Sequence, residues 1–220
     1  MPSNKLLALG WDVGGWMGSN HGFSIIQYDY DQNDYKWLGN PVELTIPTNS
    51  TFTLEYIFKE AADIEEIVID EYEVVIGIDA PLGYPIKFKN FLDGEIKEFK
   101  KPDKEIYNKL AYRETDRHIY NKYNKKPLSA VFDRLGTNTT VAMVHVQKWI
   151  NTYDFALIPA KNTTKNKQII EVYPALLKES KFSAAYQPVR GMLPSEVKEG
   201  TDAYDAVLCS LMALAYGTGG

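Results

Sequence analysis

The chain has 220 residues, 45% of them hydrophobic and 13% aromatic, which is enough to bury one substantial core. Its net charge of −5 argues against a protein that coats nucleic acid non-specifically. One cysteine excludes an internal disulfide, the first residues show no signal-peptide pattern, and no apolar run approaches the roughly 20 residues that cross a bilayer. We therefore expect a single domain over residues 1–220, soluble and cytoplasmic, without membrane contact.

The first elements in chain order are predicted to be three strands and a helix. The strands are expected at Lys5 to Asp12, Phe23 to Tyr30 and Tyr35 to Leu44. Short connections between them predict an antiparallel meander. Pro47 ends the third strand, and Ser50 or Thr51 then caps a helix that runs to about Ala62.

A buried strand follows in the stretch VVIGID, which begins at Val74 and ends at Asp79, shortly before Pro81. Because a helical crossover precedes it, this strand is expected to lie parallel to its partner. An insertion over roughly 81–136, rich in Pro, Lys and Tyr, then interrupts the alternation. It is predicted to be part loop and part helix, with the helix around Asp103 to Tyr123.

The last predicted elements are a helix from Thr137 to Asn151, a buried strand from Ile169 to Tyr173 and a helix from Thr201 to Tyr216. A threonine caps the final helix and a glycine stands just past its end. The pattern therefore predicts an α/β fold with a mixed sheet.

Carboxylates are the strongest functional signal. If the first and fourth predicted strands are parallel neighbours, Asp12 and Asp79 lie side by side at the carboxyl rim of the sheet, where open α/β folds bind ligands. Asp202 and Asp205 share one face of the final helix, although acids in a first turn also suit the helix dipole. Glu171 is a fifth candidate, in an otherwise apolar strand.

Acids drawn from separate elements are typical of a site for Mg²⁺ or Mn²⁺, which prefer oxygen ligands. Zinc is disfavoured, because the histidines His21, His118 and His145 show no ligand spacing. A structural ion pair is the alternative role for each acid taken alone.

A basic segment runs from Lys97 to Lys126, with ten basic residues, five acidic ones and several tyrosines. Its local balance of +5 indicates either a surface for substrate phosphates or a solvated helical face with tyrosines packed beneath it. Lys100, Lys101 and Arg117 are candidate substrate-binding residues in this segment.

Five blocks occur in the chain in this order: LGWDVGG, VIGIDAPLG, YRETDR, IEVYPAL and GTDAYDAVLCSLMALAYG. Together they resemble domain-of-unknown-function family 429, whose members are described as predicted nucleases with a ribonuclease H-like fold. The resemblance covers nearly the whole chain, and IDAPLG and TDAYDA are its most specific parts. It implies a five-stranded mixed sheet in the order 3-2-1-4-5, with helices on both faces, closest to Holliday-junction resolvases.

The resemblance also implies a metal site built from four aspartates: Asp12, Asp79, Asp202 and Asp205. Arg113, Asp116 and Arg134 match the family pattern as well. An arginine near such a site can bind a phosphate or stabilise transition-state charge, or it can pair with Asp116 or with the acids themselves.

Three functions follow as expectations. The first is a divalent-metal-dependent nuclease that hydrolyses DNA or RNA, with Arg113 or Arg134 holding a phosphate. The second is an actin-like nucleotide-binding or phosphotransfer protein, which the DVGG turn also resembles, although one chain of this length has room for only one copy of that fold. The third is a non-catalytic module that binds nucleic acid or protein. A homodimer is expected by analogy with resolvases.

Overall fold

The structure is a computed structural model that describes residues 3–18, 20–133, 135–160, 164–178 and 183–219. Within these ranges seven strands form one sheet: β1 (Lys5–Asp12), β2 (His21–Asp29), β3 (Asp34–Trp37), β4 (Val42–Leu44), β5 (Glu73–Asp79), β6 (Ala156–Leu157) and β7 (Lys167–Glu171). The α-helices are α1 (Leu54–Ala62), α2 (Ile86–Leu92), α3 (Glu114–Tyr123), α4 (Gly136–Tyr153), α5 (Ser183–Arg190) and α6 (Asp202–Thr218).

The sheet is mixed, and its strand order is β3-β2-β1-β5-β7-β6, with β4 paired to the other end of β2. β1 is antiparallel to β2 and parallel to β5, and β5 is parallel to β7. The parallel pairing of the first strand with the VVIGID strand is therefore confirmed. The predicted five-stranded sheet in the order 3-2-1-4-5 is wrong, because the sheet has seven strands.

Two features account for the extra strands. The predicted third strand breaks into β3 and β4, because Gly39 turns the backbone at a φ of +66° and Pro41 cannot donate to a ladder. Both pieces pair with β2, at opposite ends of it. The edge strand β6 has only two residues, too few to produce a pattern in the sequence.

The predicted helices are present in the structure, but their ends differ from the predicted ones. α1 is capped by the Thr53 side chain, which accepts from the Tyr56 N–H, so the predicted caps Ser50 and Thr51 are wrong. α6 begins after the predicted cap Thr201 and ends at Thr218, with Gly219 in the left-handed conformation. α5 was not predicted from the sequence, and it contains Pro188, a residue that disfavours a helix interior.

Helices cover both faces of the sheet, as predicted. One core layer packs α1 and α4 against the face of β1 that presents Trp11, and Phe52 and Trp149 are among its other large buried rings. The opposite layer packs α6 against the face that presents Leu6 and Ala8. α2, α3 and a 3-10 turn at Glu105–Tyr107 lie in the insertion over 81–136. Among the described residues, no helix is long and apolar enough to cross a membrane.

Candidate metal and phosphate site

Asp12 and Asp79 end neighbouring parallel strands and lie directly opposite each other in register. Partners on adjacent strands are about 4.8 Å apart along the hydrogen-bonding direction. Because side chains alternate between the faces of a strand, Asp12 shares the face of Leu6 and Ala8, and Asp79 shares the face of Val75. Both carboxylates therefore project toward the layer that α6 covers.

Glycines on three adjacent strands let the backbone of α6 approach the sheet closely. A Cβ on Gly22 would lie 2.0 Å from the Asp202 carbonyl oxygen, and one on Gly10 would lie 2.0 Å from the Ala206 carbonyl oxygen. A Cβ on Gly77 would lie 2.6 Å from the Cys209 carbonyl oxygen. Since Gly22 is also the register partner of Asp12 on β2, this packing places the first turn of α6 beside the aspartate pair.

The aspartates repel one another in a desolvated setting. Burial raises the pKa of Asp12 to about 8, and the charges of Asp79, Asp205 and Asp202 add to the effect. Burial also raises the pKa of Asp79 to about 7, with Asp205 as the next cause. Negative charge on this pair is therefore costly unless a cation is near.

Lys178 supplies one cation to this cluster. Its ammonium group forms an ion pair with a carboxylate oxygen of Asp205, and its charge lowers the pKa of Asp12 and of Asp79. The residue follows a 3-10 turn at Pro174–Leu176, just beyond β7. One ammonium leaves the aspartate pair with raised pKa values, so its charge only partly offsets the repulsion.

Asp202 lies at the margin of the cluster. Its pKa is raised by burial and then by Glu43 on β4, while a hydrogen bond from the Asn20 side chain opposes the rise. The structure thus brings Asp12, Asp79 and Asp205 into one electrostatic group and places Asp202 between that group and β4.

Glu171 belongs to the other face of the sheet. It pairs in register with Ile78 and lies on the same face of β7 as Ile169. Both isoleucines are in the layer under α1 and α4. Its carboxylate forms two 2.7 Å bonds with the Arg113 guanidinium and accepts the Leu82 N–H at 2.9 Å. Arg113 is therefore the partner of Glu171, whose charge the sequence left unexplained in an otherwise apolar strand.

Arg113 is held on both sides. Besides Glu171, its guanidinium donates to both oxygens of Asp116, at 2.7 and 3.1 Å, and the Arg113 N–H donates to Asp116 at 2.7 Å. Asp116 is buried. Of the roles that the sequence left open for Arg113, pairing with Asp116 is the one seen in the structure.

The aspartate pair borders a cavity of about 1110 Å³ between the sheet rim and the insertion. Charged lining residues include four cations, Arg113, Arg117, Lys87 and Lys109, and five acids, Asp12, Asp79, Glu114, Asp116 and Glu171. Its walls are otherwise mostly apolar or aromatic. A large pocket with a few convergent polar groups is the usual form of a small-molecule or substrate site.

The remaining substrate-binding candidates from the sequence do not all line the cavity. Arg117 lines the cavity, donates to the Tyr112 carbonyl oxygen at 2.7 Å and pairs with Glu114. Lys100 and Lys101 are exposed and are not part of the cavity wall. Arg134 lies outside the described residues.

The geometry of the acids bears on the predicted cation. Among the described residues, no three His, Cys, Asp or Glu side chains are grouped so that they could hold one ion. Mg²⁺ usually takes only one or two carboxylates and completes its shell with water and phosphate oxygens. The half-buried, mutually repelling pair Asp12 and Asp79 fits that smaller ligand set.

Sequence reasoning missed Lys178 and the apolar wall of the cavity. Lys178 follows an apolar run at the end of the IEVYPAL block, and nothing in its spacing relates it to the aspartates. Tyr84, Ile86 and Leu128 line the cavity from within the insertion, where the sequence analysis singled out only the basic, tyrosine-containing segment from Lys97 to Lys126. Their clustering depends on how the insertion folds back on the sheet.

Together these features define an α/β protein with an acidic pair at the carboxyl rim of a mixed sheet. Comparisons of the chain with protein-family models, with curated proteins and with solved structures find no match. The resemblance to family 429 and the ribonuclease H-like assignment therefore stay predictions.

Proposed function

We propose that the protein is a divalent-metal-dependent nuclease that hydrolyses phosphodiester bonds of DNA or RNA. The observation that supports this proposal best is the adjacency of Asp12 and Asp79, two half-buried carboxylates with raised pKa values that line a substrate-sized cavity. Structural carboxylates are normally paired with a cation, and these two gain only partial compensation from Lys178.

In this proposal Asp12 and Asp79 would hold one Mg²⁺ or Mn²⁺, and Asp205 keeps its ion pair with Lys178 beside them. Such an ion, when bound, supplies a Lewis acid that activates water and stabilises the leaving oxygen. Lys87 and Lys109 line the same cavity with exposed ammonium groups that are suited to phosphate oxygens. Arg113 acts as a positioning residue, since two carboxylates already hold its guanidinium.

The test is cleavage of end-labelled single-stranded and duplex DNA and RNA in Mg²⁺, in Mn²⁺ and in EDTA. We expect cleavage that requires the metal and a loss of about 100-fold or more in Asp12→Asn, since this change removes one of the two carboxylates that would hold the ion that stabilises the leaving oxygen. Asp154→Asn is the matched control, because Asp154 pairs with Lys165 on the surface.

Calorimetry provides a readout that is independent of activity. Mn²⁺ should bind the parent and Asp154→Asn with the same affinity and should bind Asp12→Asn at least tenfold more weakly. Cleavage in EDTA, equal Mn²⁺ affinity in all three proteins or no cleavage of any substrate would contradict the proposal.

A further inference from the structure

We infer that the cavity beside Asp12 and Asp79 accepts unpaired nucleotides, so that the substrate is a single strand or a frayed end of DNA or RNA, not the interior of a duplex. This inference rests on the proposed function and narrows its substrate class. It depends on the walls of the cavity rather than on its acids.

The first step concerns size and lining. The cavity of about 1110 Å³ lies just above the usual range for small-molecule sites, roughly 300 to 1000 Å³. Part of its wall comes from the loop after β5 and the start of α2, where Pro81, Tyr84 and Ile86 lie. Another part contains Ile158 and Val172, from the segments around β6 and β7. A base must leave its stack and its pair to lie inside a cavity lined in this way.

The second step concerns exposed apolar side chains. Ile86 is 67% exposed and Leu128 is 55% exposed, and both line the cavity. Tyr84 and Tyr173 also line it. Apolar and aromatic groups left in solvent at the edge of a pocket indicate a ligand that covers them, and nucleobases stack on such groups without regard to sequence.

The third step concerns charge. Apolar walls alone would suit many ligands, but Lys87 and Lys109 place ammonium groups on the same lining, and the proposed cation at Asp12 and Asp79 would add positive charge at one end. A ligand with a flat apolar body and a phosphate on one side would contact both the apolar walls and the cationic groups of the cavity. An unpaired nucleotide has that form, whereas a duplex presents mainly its phosphates to a protein.

The experiment compares one 12-nucleotide DNA strand, alone and as a blunt duplex, with the parent protein in Mn²⁺. We expect cleavage of the single strand to be at least tenfold faster. Ile86→Ser with Leu128→Ser should raise KM for the single strand about tenfold through lost apolar contact. Leu92→Ser is the control, because Leu92 is on α2 and 67% exposed, like Ile86, but does not line the cavity.

Binding of the same two probes is followed by fluorescence anisotropy in Ca²⁺, so that the inference is tested even if neither probe is cleaved. Tighter binding of the single strand, weakened in the double variant and not in Leu92→Ser, supports it. Equal or faster cleavage of the duplex, or a double variant that behaves like the control, would overturn it and leave the proposed nuclease activity standing. Absence of cleavage with preserved single-strand preference would overturn the nuclease activity alone.

Discussion

At the scale of single residues, Asp12 and Asp79 form the unusual feature of this molecule. Strand pairing places them opposite each other, and burial raises the pKa of both. A pair of this kind is destabilising in the metal-free protein and becomes favourable once a divalent ion binds. The same arrangement therefore predicts a stability effect that can be measured without any substrate.

Asp79→Asn should stabilise the metal-free protein at pH 9 by about 1 to 4 kcal/mol, the upper limit being set by the raised pKa of Asp79. The folded protein has the higher pKa, so the unfavourable charge is fully present above pH 7 and is relieved as the pH falls through 7 toward 3.8. The gain should shrink accordingly at pH 5.5. Urea denaturation in EDTA at both pH values measures it.

Mn²⁺ gives the matching control for Asp79→Asn. At 100 times its dissociation constant, an ion that binds only the folded state stabilises the parent by about 2.7 kcal/mol, and the variant should lose most of that gain. If Asp79 were instead half of a structural ion pair, the variant would be destabilised at pH 9 and its response to Mn²⁺ would be unchanged.

The sequence predicted residues whose position follows from an element's end and missed those that depend on tertiary packing. Asp12 and Asp79 could be recognised because each ends an apolar strand. Glu171 ends a strand too, but the register turns its side chain to the opposite face, where it meets Arg113. Lys178 reaches the aspartates only because the chain folds back after β7.

At the scale of elements, the ion pairs of Arg113 join the insertion to the sheet. α3 begins immediately after Arg113, whose guanidinium reaches Glu171 at the end of β7 and Asp116 in the first turn of α3. Arg113 and Asp116 are 14% and 4% exposed at their side chains, so water screens this contact little. The cavity wall formed by the insertion therefore depends on one guanidinium.

Arg113→Gln should cost about 3 to 5 kcal/mol, because it leaves the buried carboxylate of Asp116 without its cation. Hydrogen exchange should also speed up at the amides of α3 before it does in β1 or β5. Lys59→Gln removes an exposed pair with Glu65 and should cost less than about 1 kcal/mol. Equal losses in the two variants would show that Arg113 does not hold the insertion in place.

Element types were predictable where the apolar period was long, as in β1, β5, α4 and α6. They were not predictable where a backbone detail interrupts a run, as Gly39 and Pro41 do between β3 and β4. Nor does the sequence show why α6 lies so close to the sheet. That requires knowing that Gly10, Gly22 and Gly77 fall on adjacent strands beneath it.

At the scale of the whole molecule, the two core layers differ in chemistry. The layer under α6 meets the aspartates, whereas the layer under α1 and α4 encloses two buried histidines beside Trp11. The Nδ1 atom of His21 accepts from the Trp11 indole at 3.3 Å and from the Gly14 N–H at 3.1 Å. Its Nε2 therefore bears the hydrogen and donates to the Gly15 carbonyl oxygen at 3.2 Å.

His145 is also neutral, but in the other tautomer. Its Nδ1 donates to the Val141 carbonyl oxygen at 2.7 Å, and its Nε2 accepts the Phe52 N–H at 3.0 Å. Burial lowers the pKa of His145 and lowers that of His21 to about 4. Protonation of either ring would place a charge in the buried core and break a hydrogen bond to the backbone. Acid should therefore destabilise this layer of the core.

His21→Asn isolates the acid response of this layer. The folded pKa lies below the unfolded value of 6.5, so the unfolded parent binds more protons as the pH falls from 6.5 toward 4, and its stability drops. The variant is less stable than the parent at pH 7.5, but this deficit should shrink by about 2 to 3 kcal/mol at pH 4.5.

Asp12 and Asp79 titrate in the opposite sense, but they do so in the parent and in the variant alike. The difference in stability between the two proteins, measured by urea denaturation, therefore removes their contribution. A deficit of His21→Asn that stays constant between pH 7.5 and 4.5 would mean that His21 takes up a proton as readily in the folded core as in water.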